Sequence, residues 1–460
     1  MIYNIKNIDY NEYINHVKFL NANSNKKVYV FTFGCQQNEA DSEKILGMAD
    51  AMGYVKTDIP EDADLIILNT CAIRKHAEEK ALSMLGRFKA LKKKNSGLIV
   101  GVCGCMAAEE HIKELIKTDF HYVTFTLEPN MLHKMPYLVY RALNDGKRSF
   151  IIGEDRGDVV EGMPMVRRFG HKAWVSIMYG CNNFWSYCIV PYVRGRERSR
   201  SVDHILAECI SLVNDGVKEI TLLGQNVNSY RGECNFAELL EKIAMIEGNF
   251  IIRFMTSHPK DVSDQLVNVM SKHTPKIAPY FHLPLQSGND RILKAMNRTY
   301  NRERFLSIVD KLREQIPGIC LSTDVIVGFP SESEEDFLDT LDVLNKAKFD
   351  IVYAFKYSPR EGTPAARMDN QISMEVKEER ISRLLKMQDS VSLCNNEKYV
   401  GTVVTVLVDS LSKRKDKNTV NARTYGNKLV HFEGDESLIG QYVNVKIERA
   451  GVYELYANKD

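Results

Sequence analysis

Three apolar runs that each end in a cysteine constrain this fold more than any other feature of the sequence. KKVYVFTF leads to Gly34 and Cys35, DADLIILNT leads to Cys71, and SGLIVGVCGC leads to Cys105. Their β-branched and aromatic residues read as buried strands, and the stretches 39–52 and 78–92 between them read as helices. Alternating strands and helices build an open α/β sheet whose parallel strands place their following loops along one edge. Thiols 36 and 34 residues apart can then converge, which no single interval between them would suggest. The spacing is too wide for a zinc finger or a compact disulfide module.

A chain of 460 residues is too long for one core and implies two to four domains. Residues 1–25, rich in Asn and Lys, have no persuasive period and read as an N-terminal extension. The α/β part spans 26–150, and EDRGDVVEGMPMVRR, with Gly, Pro and mixed charge, marks a linker over 151–166. From 167 to 394, strand-like KAWVSIMYG, VKEITLLG, IIRFMTS, APYFHLPL, GICLSTDVIVGFP and DIVYAFKYS alternate with helical stretches, which fits a partial βα barrel. In SESEEDFLDTLDVLNKA, Ser331 with Glu334 has the spacing of a capping box. A charged helix over 376–393 leads out, and 395–460 holds four short strand-like runs with polar turns, a small β-barrel of about 60 residues.

Hydrophobic residues at 44% and charged residues at 26% fit a globular chain and argue against extensive disorder. The net charge of +1 supplies almost no long-range steering, so any nucleic acid must be held by local patches. No apolar run of 18 residues and no secretory pattern stands in the sequence, so a cytoplasmic protein with no membrane partner is expected. Ten cysteines in such a chain read as thiols or metal ligands rather than disulfides.

The densest chemistry lies in GCNNFWSYCIVPYVRGRERSRS, which begins at Gly180. Cys181 and Cys188 share one strand-end loop and are able to bind one soft metal cluster. The plainer reading makes them buried thiols, with Phe184 and Trp185 packing the loop. Arg194, Arg196, Arg198 and Arg200 follow, interrupted by Glu197, and suit phosphate contacts as well as they suit a salt-bridged surface. Lys413, Arg414, Lys415 and Lys417 form a second basic group in the tail.

TFGCQQNEADSE, NTCAIRKHAEEK, GCMA, YGCNNFWSYCIVPYVRGRERSR, TLLGQNVNSY, LPLQSGND, DVIVGFPSE and FKYSPREGTPA occur in this order. The chain thereby resembles the radical S-adenosylmethionine methylthiotransferase family over residues 27–460. The resemblance implies two [4Fe-4S] clusters and S-adenosylmethionine. Cys35, Cys71 and Cys105 match the ligands of the first cluster; the second uses a CxxxCxxC motif whose positions here are Cys181, Trp185 and Cys188. An indole stands where a third thiolate belongs, and it offers iron no lone pair. Gly224, Gln225 and Asn226, with Val325, Gly328 and Pro330, match segments that contact S-adenosylmethionine, although both also read as ordinary βα turns. The tail resembles a TRAM domain, an RNA-binding barrel. The front motif points to the branch that converts N6-(dimethylallyl)adenosine at position 37 of tRNA to its 2-methylthio derivative. An electron donor and a sulfur source are implied as partners, and a monomer is expected. The alternative reading is a tRNA-binding iron-sulfur protein whose catalysis is impaired at Trp185.

Overall fold

A computed structural model describes residues 9–72, 75–150, 159–412 and 418–459. The chain divides into two compact units, one holding residues up to Arg168 with Met178–Phe184 and Cys188–Arg200, the other holding the remainder.

The first unit is built on a six-stranded, wholly parallel sheet in the order Val55–Lys56, Lys27–Thr32, Leu65–Thr70, Ile99–Gly104, Phe125–Leu127, Ser149–Phe150. The two central strands, LIILNT and IVGVCG, are buried throughout because helices cover both faces. Alternation sorts their side chains into two cores. Leu65, Ile67, Ile99 and Cys103 face Ile45, Met48 and Leu138, whereas Ile66, Leu68, Val100 and Val102 face Ala81, Leu85 and Ile112. Strand order reverses between Lys27–Thr32 and Leu65–Thr70, and the crevice outside such a reversal is where open α/β sheets bind ligands. Residues Tyr10–Leu20, which have no persuasive period in the sequence, form a helix. Asp9 caps it, Ile14 and Val17 bury one narrow stripe, and Tyr13 meets Tyr137 edge-on at 5.0 Å.

In the second unit, six parallel strands form two three-stranded sheets. One runs Ile251–Phe254, Glu219–Leu223, Lys172–Ser176 and the other Tyr280–His282, Cys320–Val327, Ile351–Lys356, with helices between successive strands. The helix start expected at Ser331 falls two residues later. Ser333 caps Glu334–Ala347 and forms the capping box with Asp336, while Ser331 sits at φ +68 in the turn before it. The tail is a closed barrel of five strands rather than four runs: Glu454–Lys459 pairs with both Tyr442–Ala450 and Leu429–Glu433 and closes it. Buried Arg253 ties this barrel to the βα strands, donating to Glu219 at 2.8 Å, to the Tyr425 carbonyl at 2.7 Å and to the Thr424 carbonyl at 2.9 Å. Among the described residues no helix is long and apolar enough to cross a membrane.

Candidate functional site

Cys35, Cys71 and Cys105 follow the C-terminal ends of three adjacent strands of the front sheet. Register keeps those ends level, with Thr32 opposite Asn69 and Thr70 opposite Gly104. The polar letters of TFGCQQNEADSE and NTCA then meet inside the protein. Asn38 Nδ2 donates to Asn69 Oδ1 at 3.1 Å and to the Thr70 carbonyl at 3.0 Å, and Asn69 Nδ2 donates to the Asn38 carbonyl and to Ser42 Oγ, both at 2.8 Å. This network pins the start of helix Gln36–Ala51, and the Cys35 thiol donates to Asn38 Oδ1 at 3.3 Å. Gly104 turns the chain at φ +95, where a Cβ would stand 2.2 Å from the Thr70 carbonyl oxygen. Only glycine permits that approach.

Cys105 is buried, and its neighbours act on its proton affinity. Burial pushes its pKa up to about 12, Arg194 opposes this, and the charges of Cys71 and Cys35 add to it. Cys105 therefore lies within electrostatic reach of both other thiols. Among the described residues no three His, Cys, Asp or Glu side chains are already gathered in a metal-holding arrangement. Three soft thiol donors at one sheet edge, one of them beside a guanidinium that favours its thiolate form, nevertheless fit the donor set of an iron-sulfur cluster. Cys103, two residues before Cys105, is locked in the strand core.

The second thiol set does not fit. The Cys181 N–H donates to the Gly195 carbonyl at 3.0 Å, and Gly180 at φ +76 leaves no room for a Cβ against the Arg196 carbonyl. Residue 185 brings an indole and no thiol. Trp185 belongs to the second unit, where it stacks on Tyr187 at 5.9 Å and on His258 at 5.4 Å, with the Arg298 guanidinium 3.9 Å from its ring centre. Ser186 fastens this segment through its Oγ to the Ala295 carbonyl at 2.8 Å and through its carbonyl to the Ala365 N–H at 2.7 Å. Two cysteines and a stacked indole cannot supply the three thiolates of that cluster.

Within the second unit, three buried polar atoms follow the C-terminal ends of the neighbouring strands Glu219–Leu223 and Ile251–Phe254. Asn226 Oδ1, Ser257 Oγ and His258 Nε2 have no hydrogen-bond partner among the described residues. Orphaned groups at strand ends suit a polar ligand such as S-adenosylmethionine. Asn226 is visible in the sequence; Ser257 and His258, in an ordinary-looking TSHP, are not. Next to Asn226, the Gly224 carbonyl accepts from Thr256 Oγ1 at 2.6 Å, and Gln225 is half-buried. Val325 and Pro330 are buried, and Gly328 at φ +73 faces the Lys377 stem while its N–H donates to Glu332 at 3.0 Å. A protein lysine thus accounts for the glycine at 328.

The four arginines do not form one phosphate-binding strip. Arg194 is 5% exposed and Arg200 8%, the latter paired with Glu161 at 2.7 Å, because partners distant in sequence enclose them. Arg198 is half-buried and donates to the Arg194 carbonyl at 3.3 Å. Arg196 alone is exposed, lying 4.4 Å over Phe184. Lys413, Arg414, Lys415 and Lys417 lie outside the described residues.

Comparison with known proteins marks three segments of the chain. Family profiles match residues 27–126 (Uncharacterized protein family UPF0004), 175–344 (Radical SAM superfamily) and 397–458 (TRAM domain). Proteins called tRNA-2-methylthio-N(6)-dimethylallyladenosine synthase are similar almost end to end. That of Alkaliphilus oremlandii is 49% identical over 96% of this chain and 94% of its own. That of Caldicellulosiruptor saccharolyticus is 48% identical over 97% and 95%, and that of Clostridium perfringens 46% over 95% and 98%. A solved structure of the radical S-adenosylmethionine methyltransferase TsrM from Kitasatospora setae, with cobalamin and a [4Fe-4S] cluster bound, shares the fold at 12% identity and a TM-score of 0.55, covering 74% of this chain and 77% of that one. Motif order, sheet-edge cysteines, tail barrel and near-complete similarity converge: the chain belongs to the tRNA-2-methylthio-N(6)-dimethylallyladenosine synthase family of radical S-adenosylmethionine methylthiotransferases.

Proposed function

We propose that this chain is a tRNA methylthiotransferase scaffold for converting N6-(dimethylallyl)adenosine at tRNA position 37 to its 2-methylthio derivative. The observation that carries this reading is identity of 46–49% over 93–97% of the chain with synthases of that name. Cys35, Cys71 and Cys105 hold a [4Fe-4S] cluster, which when bound supplies the sulfur chemistry. Asn226, Ser257 and His258 offer hydrogen bonds to the polar groups of S-adenosylmethionine, and Gly224, Gln225, Val325 and Pro330 shape the backbone around it. Arg196, with the basic group at 413–417 in the tail, meets tRNA phosphates, so binding weakens as salt rises. A cytoplasmic monomer served by an electron donor and a sulfur source completes the reading.

Trp185 favours a second reading for the chain as it stands: tRNA and the front cluster are bound, and the radical step is impaired. One experiment addresses both. A strain lacking its own synthase is complemented with this chain or with Trp185→Cys, and tRNA nucleosides are analysed by mass spectrometry. The expected result is 2-methylthio-N6-dimethylallyladenosine with the Cys variant and unmodified dimethylallyladenosine with Trp185. Methylthiolation of a different adenosine derivative would overturn the substrate assignment, and full modification by the Trp185 chain would overturn the impairment.

A further inference from the structure

Arg194 is a buried cation whose use the proposed function leaves open. It closes the short helix Val190–Arg194, whose Ile189 and Val193 pack with Ala72 and Cys105 in one small apolar cluster. Its Nε–H donates to Cys105 Sγ at 3.0 Å, and Nη2 pairs with Asp41 at 3.2 Å. Side-chain exposure is 5% for Arg194 and 4% for Asp41, so neither charge is screened by water. Asp41 is tied in turn to Gln37, which donates to it at 3.1 Å. A guanidinium held at one edge by a carboxylate presents its remaining N–H groups in a fixed plane, and here that plane points at a sulfur.

We infer that Arg194 is a positioning residue for the front iron-sulfur cluster: clamped by Asp41, it orients the Cys105 sulfur and, by donating to it, raises the reduction potential of the cluster that Cys105 holds. The inference rests on the proposed cluster at Cys35, Cys71 and Cys105. Reduction adds negative charge to a cluster, and a hydrogen bond from a cation to a ligand sulfur stabilises that added charge. The effect is strong because the donor is desolvated and specific because Nε, not a freely rotating ammonium, makes the contact.

The test uses the full chain after anaerobic reconstitution, with iron per chain and an EPR-monitored redox titration as readouts. Arg194→Gln removes the charge, Arg194→Lys keeps it without the planar fork, and Arg87→Gln removes an exposed arginine of the same unit as a charge control. Arg194→Gln is expected to load iron and to shift the oxidised-to-reduced ratio at fixed poise at least tenfold toward oxidised, which for one electron is a fall of about 59 mV. Arg194→Lys recovers part of the shift, and Arg87→Gln shows none. Loaded Arg194 variants at the wild-type potential overturn the inference. If the Gln variant takes up no iron, Lys decides in the same way. If neither loads iron while both melt as wild type does, the positioning role stands; loss of iron together with a lower melting temperature reduces Arg194 to a structural ion pair and overturns it. A wild-type chain that itself takes up no iron overturns the cluster reading, and this inference with it.

Discussion

Residue 185, where the proposed second cluster would take a third thiolate, carries a packing group, and the two roles respond differently to substitution. The indole lies against Tyr187, His258 and Arg298. Stacked rings contribute about 0.5–1.5 kcal/mol per pair and a partly buried cation–π contact about 0.5–2 kcal/mol. Trp185→Cys, Trp185→Ala and Trp185→Ser should therefore each destabilise the chain by about 1–3 kcal/mol in thermal or urea melts. Only Cys should raise iron from about four to about eight atoms per chain, because methyl and hydroxyl are poor ligands for soft iron. If Ala gains as much iron as Cys, the indole obstructed a site that needs no third thiolate, and the coordination argument is wrong. His258, beneath the indole, gives a second measurement. Burial first, then the charges of Arg298 and Lys260, push its pKa down to about 2. A folded value below the unfolded value of about 6.5 means that its contribution is complete above pH 6.5 and is lost as pH falls, by about 1.4 kcal/mol per pH unit. Glu332, pushed up to about 6 chiefly by burial, acts in the opposite sense, its contribution fading as pH rises through that value. Comparing melts of wild type and His258→Gln between pH 7 and 4.5 isolates the histidine. Equal slopes in the two proteins would mean that the imidazole is not what acid attacks.

At the scale of elements, legibility follows the strength of the local pattern. LIILNT and IVGVCG are continuous apolar runs, so their place at the sheet centre and the cysteines after them are readable. Glu454–Lys459 escapes a reading of the sequence because ELYANK buries only Leu455 and Ala457 and carries no β-branched residue; it becomes a strand by pairing on both sides inside a closed barrel. The helix Tyr10–Leu20 escapes it because two buried aliphatic residues in eleven make too narrow a stripe. Arg194 reads as surface because a run of alternating arginines has no local sign of burial; its partner Asp41 lies 153 positions away in the chain. Gly104 tests whether the front site depends on its turn. A Cβ there would meet the Thr70 carbonyl at a left-handed φ, so Gly104→Ala should cost about 2–4 kcal/mol in urea unfolding and lower the iron loaded after reconstitution. Gly146→Ala, also at positive φ but with nothing within 4 Å of its Cβ, should cost only about 1 kcal/mol and leave iron uptake unchanged. Similar losses for the two would place the effect in backbone strain alone rather than in the crowding beside Cys105.

For the whole molecule, the decisive question is whether the tail barrel is an appendage or part of the second unit's cooperative fold. Its ties favour the latter: besides Arg253, Tyr442 donates to the Lys218 carbonyl at 2.7 Å, Lys428 pairs with Asp350 at 2.5 Å, and Asn396 donates to the Gly451 carbonyl at 2.8 Å. Cutting the chain near residue 394 would strip partners from several buried charges, so a truncated protein is a poor probe of RNA binding. Arg253→Met is a cleaner one. It leaves the Glu219 carboxylate buried without its guanidinium and the Thr424 and Tyr425 carbonyls without their donors, a loss of about 3–5 kcal/mol. Adding Glu219→Gln should restore part of that stability, because the isolated buried charge costs more than the missing contacts do. Hydrogen exchange locates the damage. Amides of Val430 and Val445 in the barrel core should lose protection in Arg253→Met together with those of Ile220 and Ile252 in the βα sheet. A barrel that keeps full protection while the βα strands lose theirs folds by itself. In that case the tail is a tethered module, and its tRNA affinity should survive Arg253→Met with the same salt dependence.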